Sequence, residues 1–196
     1  MYKRQFLEGL REPLETGSIA IARAGKHAVF PARFQLIAAM NPCPCGYLGD
    51  SQSDCRCSGD RVTTYRNKVS GPLLDRIDLH VEVLRPSTDV LRGDGADAER
   101  TESVASRVAD AWDIQMQRSG IANSRLDGEQ LKSACALDNE CWSLLESAAD
   151  RFNLSARAHQ RVLRVSRTIA DLARAKKIAP PHIAEALSLR CLDRRV

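Results

Sequence analysis

Residues 34–57, FQLIAAMNPCPCGYLGDSQSDCRC, decide how the rest of the chain is read. The apolar run Leu36-Ile37-Ala38-Ala39-Met40 is too short for a typical helix and is bounded by punctuating residues. Such a run predicts a strand buried on both faces, of the kind found in parallel sheets covered by helices. Pro42 stops it by removing a backbone donor, and it biases Asn41 towards an extended conformation. A polar amide at the carboxyl end of a central strand stands where open α/β sheets receive their ligands. Two cysteine pairs follow at once, Cys43-x-Cys45 and Cys55-x-Cys57.

Working outward, residues 6–14 place Phe6, Leu7, Leu10 and Leu14 at helical spacing with no start signal before them. The chain therefore reads as entering in mid-helix, with Met1 not a natural start and an upstream part missing. That helix is expected to end at Thr16-Gly17, its last turn loosened by Pro13. Residues 18–23 and 28–31 then read as the arms of a β-hairpin, with Gly25 in the turn and Lys26 and His27 near the tip. By spacing alone that tip is equally an ordinary solvated turn.

Downstream of the cysteines, 59–69 reads as a helix with Val62, Tyr65 and Val69 on one side, broken by Ser70-Gly71-Pro72. Ile77, Leu79, Val81 and Val83 alternate with Asp78, His80 and Glu82, which predicts a strand with one buried face and a solvated His80. Residues 85–98, rich in Pro, Gly, Ser and Asp, are the best linker candidate. Beyond them helices are expected at 99–118, 127–135, 138–151, 155–176 and 180–192, the fourth capped by Ser155 and the last begun by Pro180-Pro181. In the fourth, Ala158, Val162, Val165, Ile169 and Leu172 form the expected buried stripe. Cys135, Cys141 and Cys191 sit in these helices without metal-like spacing and read as small core residues.

The chain has 196 residues, 43% hydrophobic and 28% charged, in the range of ordinary globular proteins. No apolar segment reaches the roughly 20 residues that span a bilayer, and no signal-peptide pattern occurs. Seven cysteines, an odd number, fit a reduced cytoplasmic setting better than a disulfide framework. The net charge of +4 is uneven, since residues 150–196 carry eleven Lys and Arg against four Asp and Glu. Anionic partners would be drawn there.

Four candidate sites stand out. The cysteine quartet could close a tetrahedral, structural zinc shell, although zinc knuckles usually use C-x2-C pairs; the alternative is four reduced thiols in a polar loop. Arg157, Arg161 and Arg164 share one flank of a helix with no acid at matching spacing, which suits an anion or a solvated basic face. Arg76, between Asp75 and Asp78, reads by itself as an ordinary surface ion pair. No phosphate-binding G-x-x-x-x-G-K-[ST] is present, because the only Gly-Lys pair, Gly25-Lys26, is followed by His27.

Taken in order, LEGLREPLETG, SIAIARAG, FPARFQLIAAMNPCPCG, SGPLLDRIDLHVEV and LSARAHQRVLRVSRTIADLA resemble one family closely. The sequence is similar to the C-terminal part of magnesium-chelatase-like AAA+ ATPases of the YifB/ComM type. The resemblance implies the C-terminal half of an AAA+ core over 1–86 (parallel-sheet strands plus a β-hairpin), a linker at 87–98 and an all-α lid domain over 99–196. It implies that Asn41 is sensor 1, Arg76 an arginine finger acting on a neighbouring subunit's nucleotide, and Arg157 the sensor 2 arginine. It makes 18–29 the pre-sensor-1 hairpin, with Arg23, Lys26 and His27 as DNA contacts. The implied cofactors are ATP and Mg2+, with Zn2+ at Cys43, Cys45, Cys55 and Cys57 as a further candidate. The implied partners are other copies of the protein, in a homo-oligomeric ring of hexamer type, and DNA, with no membrane. The family's Walker A and Walker B motifs are missing from this chain, so by itself it is expected not to hydrolyse ATP. The implied activity of the whole protein is that of a DNA helicase or branch-migration factor linked to competence and recombination. Alternatives are a protein-remodelling ATPase of the chelatase type and a non-enzymatic, zinc-stabilised binding module.

Overall fold

The computed structural model describes residues 2–86, 99–190 and 192, and divides into two compact units, Met1–Ile77 and Asp78–Val196. The linker expected at 87–98 and Cys191 lie outside the described residues.

The first unit opens with two short helices, α1 (Tyr2–Glu8) and α2 (Arg11–Thr16), rather than the single helix its apolar spacing predicts. The break falls at Gly9-Leu10, before Pro13, which is buried and sits in the first turn of α2, where a missing amide donor costs least. Gly17 ends α2 in the left-handed region (φ 67°), its amide donating to the Pro13 carbonyl. Strands β1 (Ser18–Arg23) and β2 (Lys26–Pro31) form the expected antiparallel hairpin. After the cysteine loop come α3 (Gly59–Arg66), with Val62 buried, and the one-turn α4 (Gly71–Leu74), capped by the Ser70 hydroxyl.

Two strand expectations are corrected. Residues 36–40 pair with no strand: the hairpin is the only sheet among the described residues, and Ile37 is 85% exposed. A strand buried on both faces needs a neighbour on each edge and a layer over each face, and here it has neither. The parallel sheet is therefore absent from the described residues. Around residue 80 the predicted inward face is the wrong one. Leu79, Val81 and Val83 are exposed, whereas His80 is buried, its amide donating to the Leu189 carbonyl at 2.5 Å in an isolated parallel bridge with Arg190. One bridge sets the parity of the segment, and a shift of one residue exchanges its faces.

In the second unit the helices are α5 (Thr101–Ser119), a 3-10 turn (Asn123–Arg125), α6 (Gly128–Ala134), α7 (Asn139–Phe152), α8 (Ala156–Leu172) and α9 (Pro180–Ser188). The caps follow the sequence. The Asp138 carboxylate accepts from the Cys141 amide, and the Ser155 hydroxyl accepts from Ala158. Leu126, Cys141, Leu145, Val162 and Ile183 are fully buried in one shared core, and Cys135 lies inside it as expected. No described helix is long and apolar enough to cross a membrane.

The stripe on α8 is rotated from the predicted one. Ala158, Val162, Leu163, Ser166, Arg167, Ala170 and Asp171 are buried, while Leu172 is exposed. Two charged residues belong to the core face, so a reading that admits only apolar residues turns the helix towards Val165, Ile169 and Leu172.

Candidate functional site

The hairpin presents its charge at its tip. Ala24 (φ 48°) and Gly25 (φ 75°) are both left-handed, the geometry of a two-residue turn whose twist matches the flanking strands. The register pairs Arg23 with Lys26, Ile21 with Ala28 and Ile19 with Phe30. Residues directly opposite share a face, so Arg23 and Lys26 stand side by side above a short apolar patch, while His27 pairs with Ala22 on the other face. All three are exposed. Two like charges in one cross-strand pair repel, and an anion between them would relieve the repulsion.

Asn41 is exposed and follows the unpaired apolar run. Its amide lies against Gly46: a Cβ on that glycine would come 3.8 Å from Asn41 Nδ2, and Gly46 has φ 88°. Arg66 of α3 reaches back to donate from Nε to the Pro42 carbonyl at 3.2 Å, tying the segment just after Asn41 to the helix that follows the loop.

Between those two points the four cysteines converge. Cys43 Sγ lies 3.3 Å from Cys45 Sγ and 3.7 Å from Cys55 Sγ, and Cys45 Sγ lies 3.6 Å from Cys55 Sγ. With Cys57 included, all four sulfurs fall within 4.8 Å of one another. Without a metal their protons are shared unequally. Hydrogen bonds led by the Tyr47 amide pull Cys45 down to about 6. Cys55 is pushed up to about 12: a hydrogen bond from the Cys57 backbone lowers it, but burial and the neighbouring thiols Cys45 and Cys43 outweigh that. The quartet could hold one metal ion, and it is the only group of that kind among the described residues.

Arg76 differs from its expected setting. Its partner is Glu15, with Nε 3.1 Å from Oε2, and the Arg76 side chain is only 10% exposed. Nη1 donates to the Pro72 carbonyl at 2.7 Å. The guanidinium thus folds back over α4 onto α2.

The three arginines of α8 separate in the structure. Arg161 pairs with Asp78, and Arg164 donates from Nε to the Leu126 carbonyl at 2.8 Å. Their partners lie 83 and 38 residues away, which helical spacing could not show. Arg157 is exposed in the first turn of α8, beside the Ser155 cap.

The sequence reading also missed a buried polar network in the second unit. Arg118 of α5 grips Asp171 of α8 with both terminal nitrogens, at 2.6 and 2.8 Å. Asn123 of the 3-10 turn donates to Asp171 at 2.8 Å and accepts from Arg118 at 2.7 Å. Arg167, one turn before Asp171, donates to it and to the Ala175 carbonyl. The four-residue spacing of Arg167 and Asp171 was the available signal.

Comparison with known proteins matches both halves of the chain. The family model described as magnesium chelatase, subunit ChlI, covers residues 1–91, and that described as magnesium chelatase, subunit ChlI C-terminal, covers 98–190. Competence protein ComM of Haemophilus influenzae is 42% identical over 193 residues, 98% of this chain and 38% of that protein. The uncharacterized protein YifB of Salmonella typhimurium is 39% identical, and that of Escherichia coli 38% identical, over the same share of the chain. The chain thus spans 38% of the length of these relatives.

Proposed function

Because the chain belongs to the magnesium-chelatase-like family, with ComM and YifB among its relatives, we propose that it is part of an ATP-driven AAA+ motor that works on DNA. The observation that carries the DNA part is the hairpin tip, where Arg23 and Lys26 form one exposed cationic pair. Contacts from such a pair would go to the phosphate backbone and be largely independent of sequence. The name of the ComM relative, a competence protein, agrees with a DNA substrate.

In this reading ATP with Mg2+ supplies the phosphoryl group and the charge neutralisation of its transfer. The exposed amide of Asn41 suits orienting a water molecule, and the exposed Arg157 suits an anionic phosphate. Arg76 serves a neighbouring subunit's site in a ring, for which a hexamer is the natural choice. To do so its guanidinium must leave Glu15. The apolar run 36–40 is then the surface that the remainder of an AAA+ sheet covers in the whole protein. The chain alone, without a phosphate-cradling motif, is inactive as an ATPase.

The test is salt-dependent binding of single-stranded DNA by the purified chain and by its Arg23→Ala/Lys26→Ala variant. Each lost phosphate contact should reduce the slope of log K against log salt by about 0.7, hence about 1.4 for the pair. An unchanged slope, or no binding by the parent chain, would sink the DNA reading. It would favour a chelatase-type ATPase that remodels a protein, the reading the family's name supports.

A further inference from the structure

The cysteine quartet carries an inference that does not depend on the motor reading. We propose that Cys43, Cys45, Cys55 and Cys57 bind one zinc ion as a closed, structural tetrathiolate, and that this ion fixes the segment carrying Asn41 to the start of α3.

The spacing of the sulfurs selects the ligand. A tetrahedral zinc with bonds of about 2.3 Å holds its four sulfurs about 3.8 Å apart. The separations of 3.3, 3.6 and 3.7 Å among Cys43, Cys45 and Cys55 approach that value from below. They are far longer than the roughly 2.05 Å of a disulfide bond. A cluster of two irons spreads its four thiolates over two metal centres, whereas here all four sulfurs lie within 4.8 Å of one another, as one ion requires. Four thiolates around one ion suit zinc, whose structural sites are closed tetrahedral shells of this kind, and they leave no coordination position open for catalysis.

The backbone folds the sulfurs together through two tight turns, Gly46 N–H to the Cys43 carbonyl and Asp50 N–H to the Tyr47 carbonyl, both at 3.1 Å. Gly46 (φ 88°) and Gly49 (φ 85°) adopt backbone conformations that other residues rarely take. The bound site would carry two negative charges, and cations lie close by in sequence: Arg56 separates two ligands, and Arg66 holds the Pro42 carbonyl next to Cys43.

What the ion does follows from what the loop lacks. Cys43 is the only buried apolar side chain between residues 41 and 58, and Tyr47 is exposed. Little apolar burial is left to hold these residues, so metal binding supplies the missing folding free energy. One end of the clasp is two residues from Asn41, and the other is followed at once by Ser58 and α3. The statement about Asn41 rests on the proposed motor function; the metal does not.

The test begins with the chain purified under reducing conditions without added metal. Elemental analysis should find one zinc per chain, and its loss from a Cys43→Ser/Cys57→Ser variant. Replacing zinc with Co2+ in the unsubstituted chain should give the visible and thiolate charge-transfer bands of tetrahedral cobalt, which keeps the test open if the variant fails to fold. Removing zinc with a chelator should expose residues 43–57 to limited proteolysis while the helical unit keeps its far-ultraviolet circular dichroism. Iron in place of zinc, no bound metal, or octahedral cobalt bands would each overturn the proposal. Tetrahedral zinc whose removal leaves the loop as protease-resistant as before would overturn the clasp. None of these outcomes bears on DNA binding, so failure here and failure of the motor reading can be told apart.

Discussion

Replacing Asp171 with asparagine should be the most damaging isosteric change in the helical unit. Asp171 is 1% exposed, and both of its carboxylate oxygens are in use. Oδ1 accepts from Arg118 Nη1 at 2.6 Å and Arg167 Nε at 3.1 Å; Oδ2 accepts from Arg118 Nη2 and Asn123 Nδ2, each at 2.8 Å. An asparagine amide keeps the shape but turns one oxygen into a donor. Whichever way it flips, its NH2 group faces two N–H donors, so two charge-assisted hydrogen bonds are lost and the arginines lose their counter-charge. At about 1.5–3 kcal/mol for each of the two bonds the loss is about 3–6 kcal/mol, a range that contains the roughly 3–5 kcal/mol cost of breaking a buried ion pair by removing one partner. Arg118, with its side chain 25% exposed, regains some water, which places the value near the lower end. At a urea m-value of about 2 kcal/mol/M, a 3 kcal/mol loss moves the midpoint by about 1.5 M. Far-ultraviolet circular dichroism during urea unfolding measures it. The control is Arg174→Ala, which removes an exposed pair with Asp110 and should cost no more than about 1 kcal/mol. Burial raises the Asp171 pKa, but hydrogen bonds from Arg118 and Asn123 and the charges of Arg167 and Arg118 outweigh it, and the net shift is downward. The stability it contributes is therefore fully present above the ordinary aspartate value of about 3.9, and is lost as pH falls through the lower folded value. The gap between parent and Asp171→Asn should close in that acid range. A variant within about 1 kcal/mol of the parent at neutral pH would refute the reasoning.

Two more outcomes follow from the first unit. Gly17→Ala puts a Cβ on a residue with φ 67° and 3.0 Å from Arg33 Cγ. The flexible arginine can yield but the backbone cannot, so thermal unfolding should report a loss of about 1–2 kcal/mol, and an unchanged melting temperature would contradict it. If Arg76 acts across a subunit boundary, Arg76→Ala in the whole protein should cut ATP turnover by about 10³–10⁵. Mixing it with Asn41→Ala subunits should restore part of the rate, because some boundaries then carry both native residues; a mixture as inactive as its parents would exclude action in trans.

The sequence was most informative where structure is local. Gly17, Asp138, Ser155 and Pro180 act within a few residues, and the hairpin and the helix ends they mark came out close to their expected positions. The cysteine quartet was legible for a similar reason, since two C-x-C pairs twelve residues apart fold together through turns whose glycines are visible in the sequence. Pairing across long separations was not legible. Arg161 with Asp78, Arg118 with Asp171 and Arg76 with Glu15 join charges 53 to 83 residues apart, and the spacing of residues on one helix says nothing about them.

Glu15 and Arg76 meet across a chain segment that includes the hairpin and the whole cysteine loop. A pair that closes so much sequence depends on everything between its members holding shape. The apolar run 36–40 marks the weakest part of that span, because a buried-strand composition states a preference for cover without naming what provides it. Here Ile37 and Met40 face solvent, and the sulfur cluster gathers four side chains of residues 34–57 into one arrangement. Zinc at the cysteines would then do more than order a loop. It would shorten the unanchored part of the chain between α2 and α4, and so favour the contact that keeps Arg76 folded against Glu15. Metal removal should accordingly loosen Arg76 as well as residues 43–57, even though the two sites share no ligand.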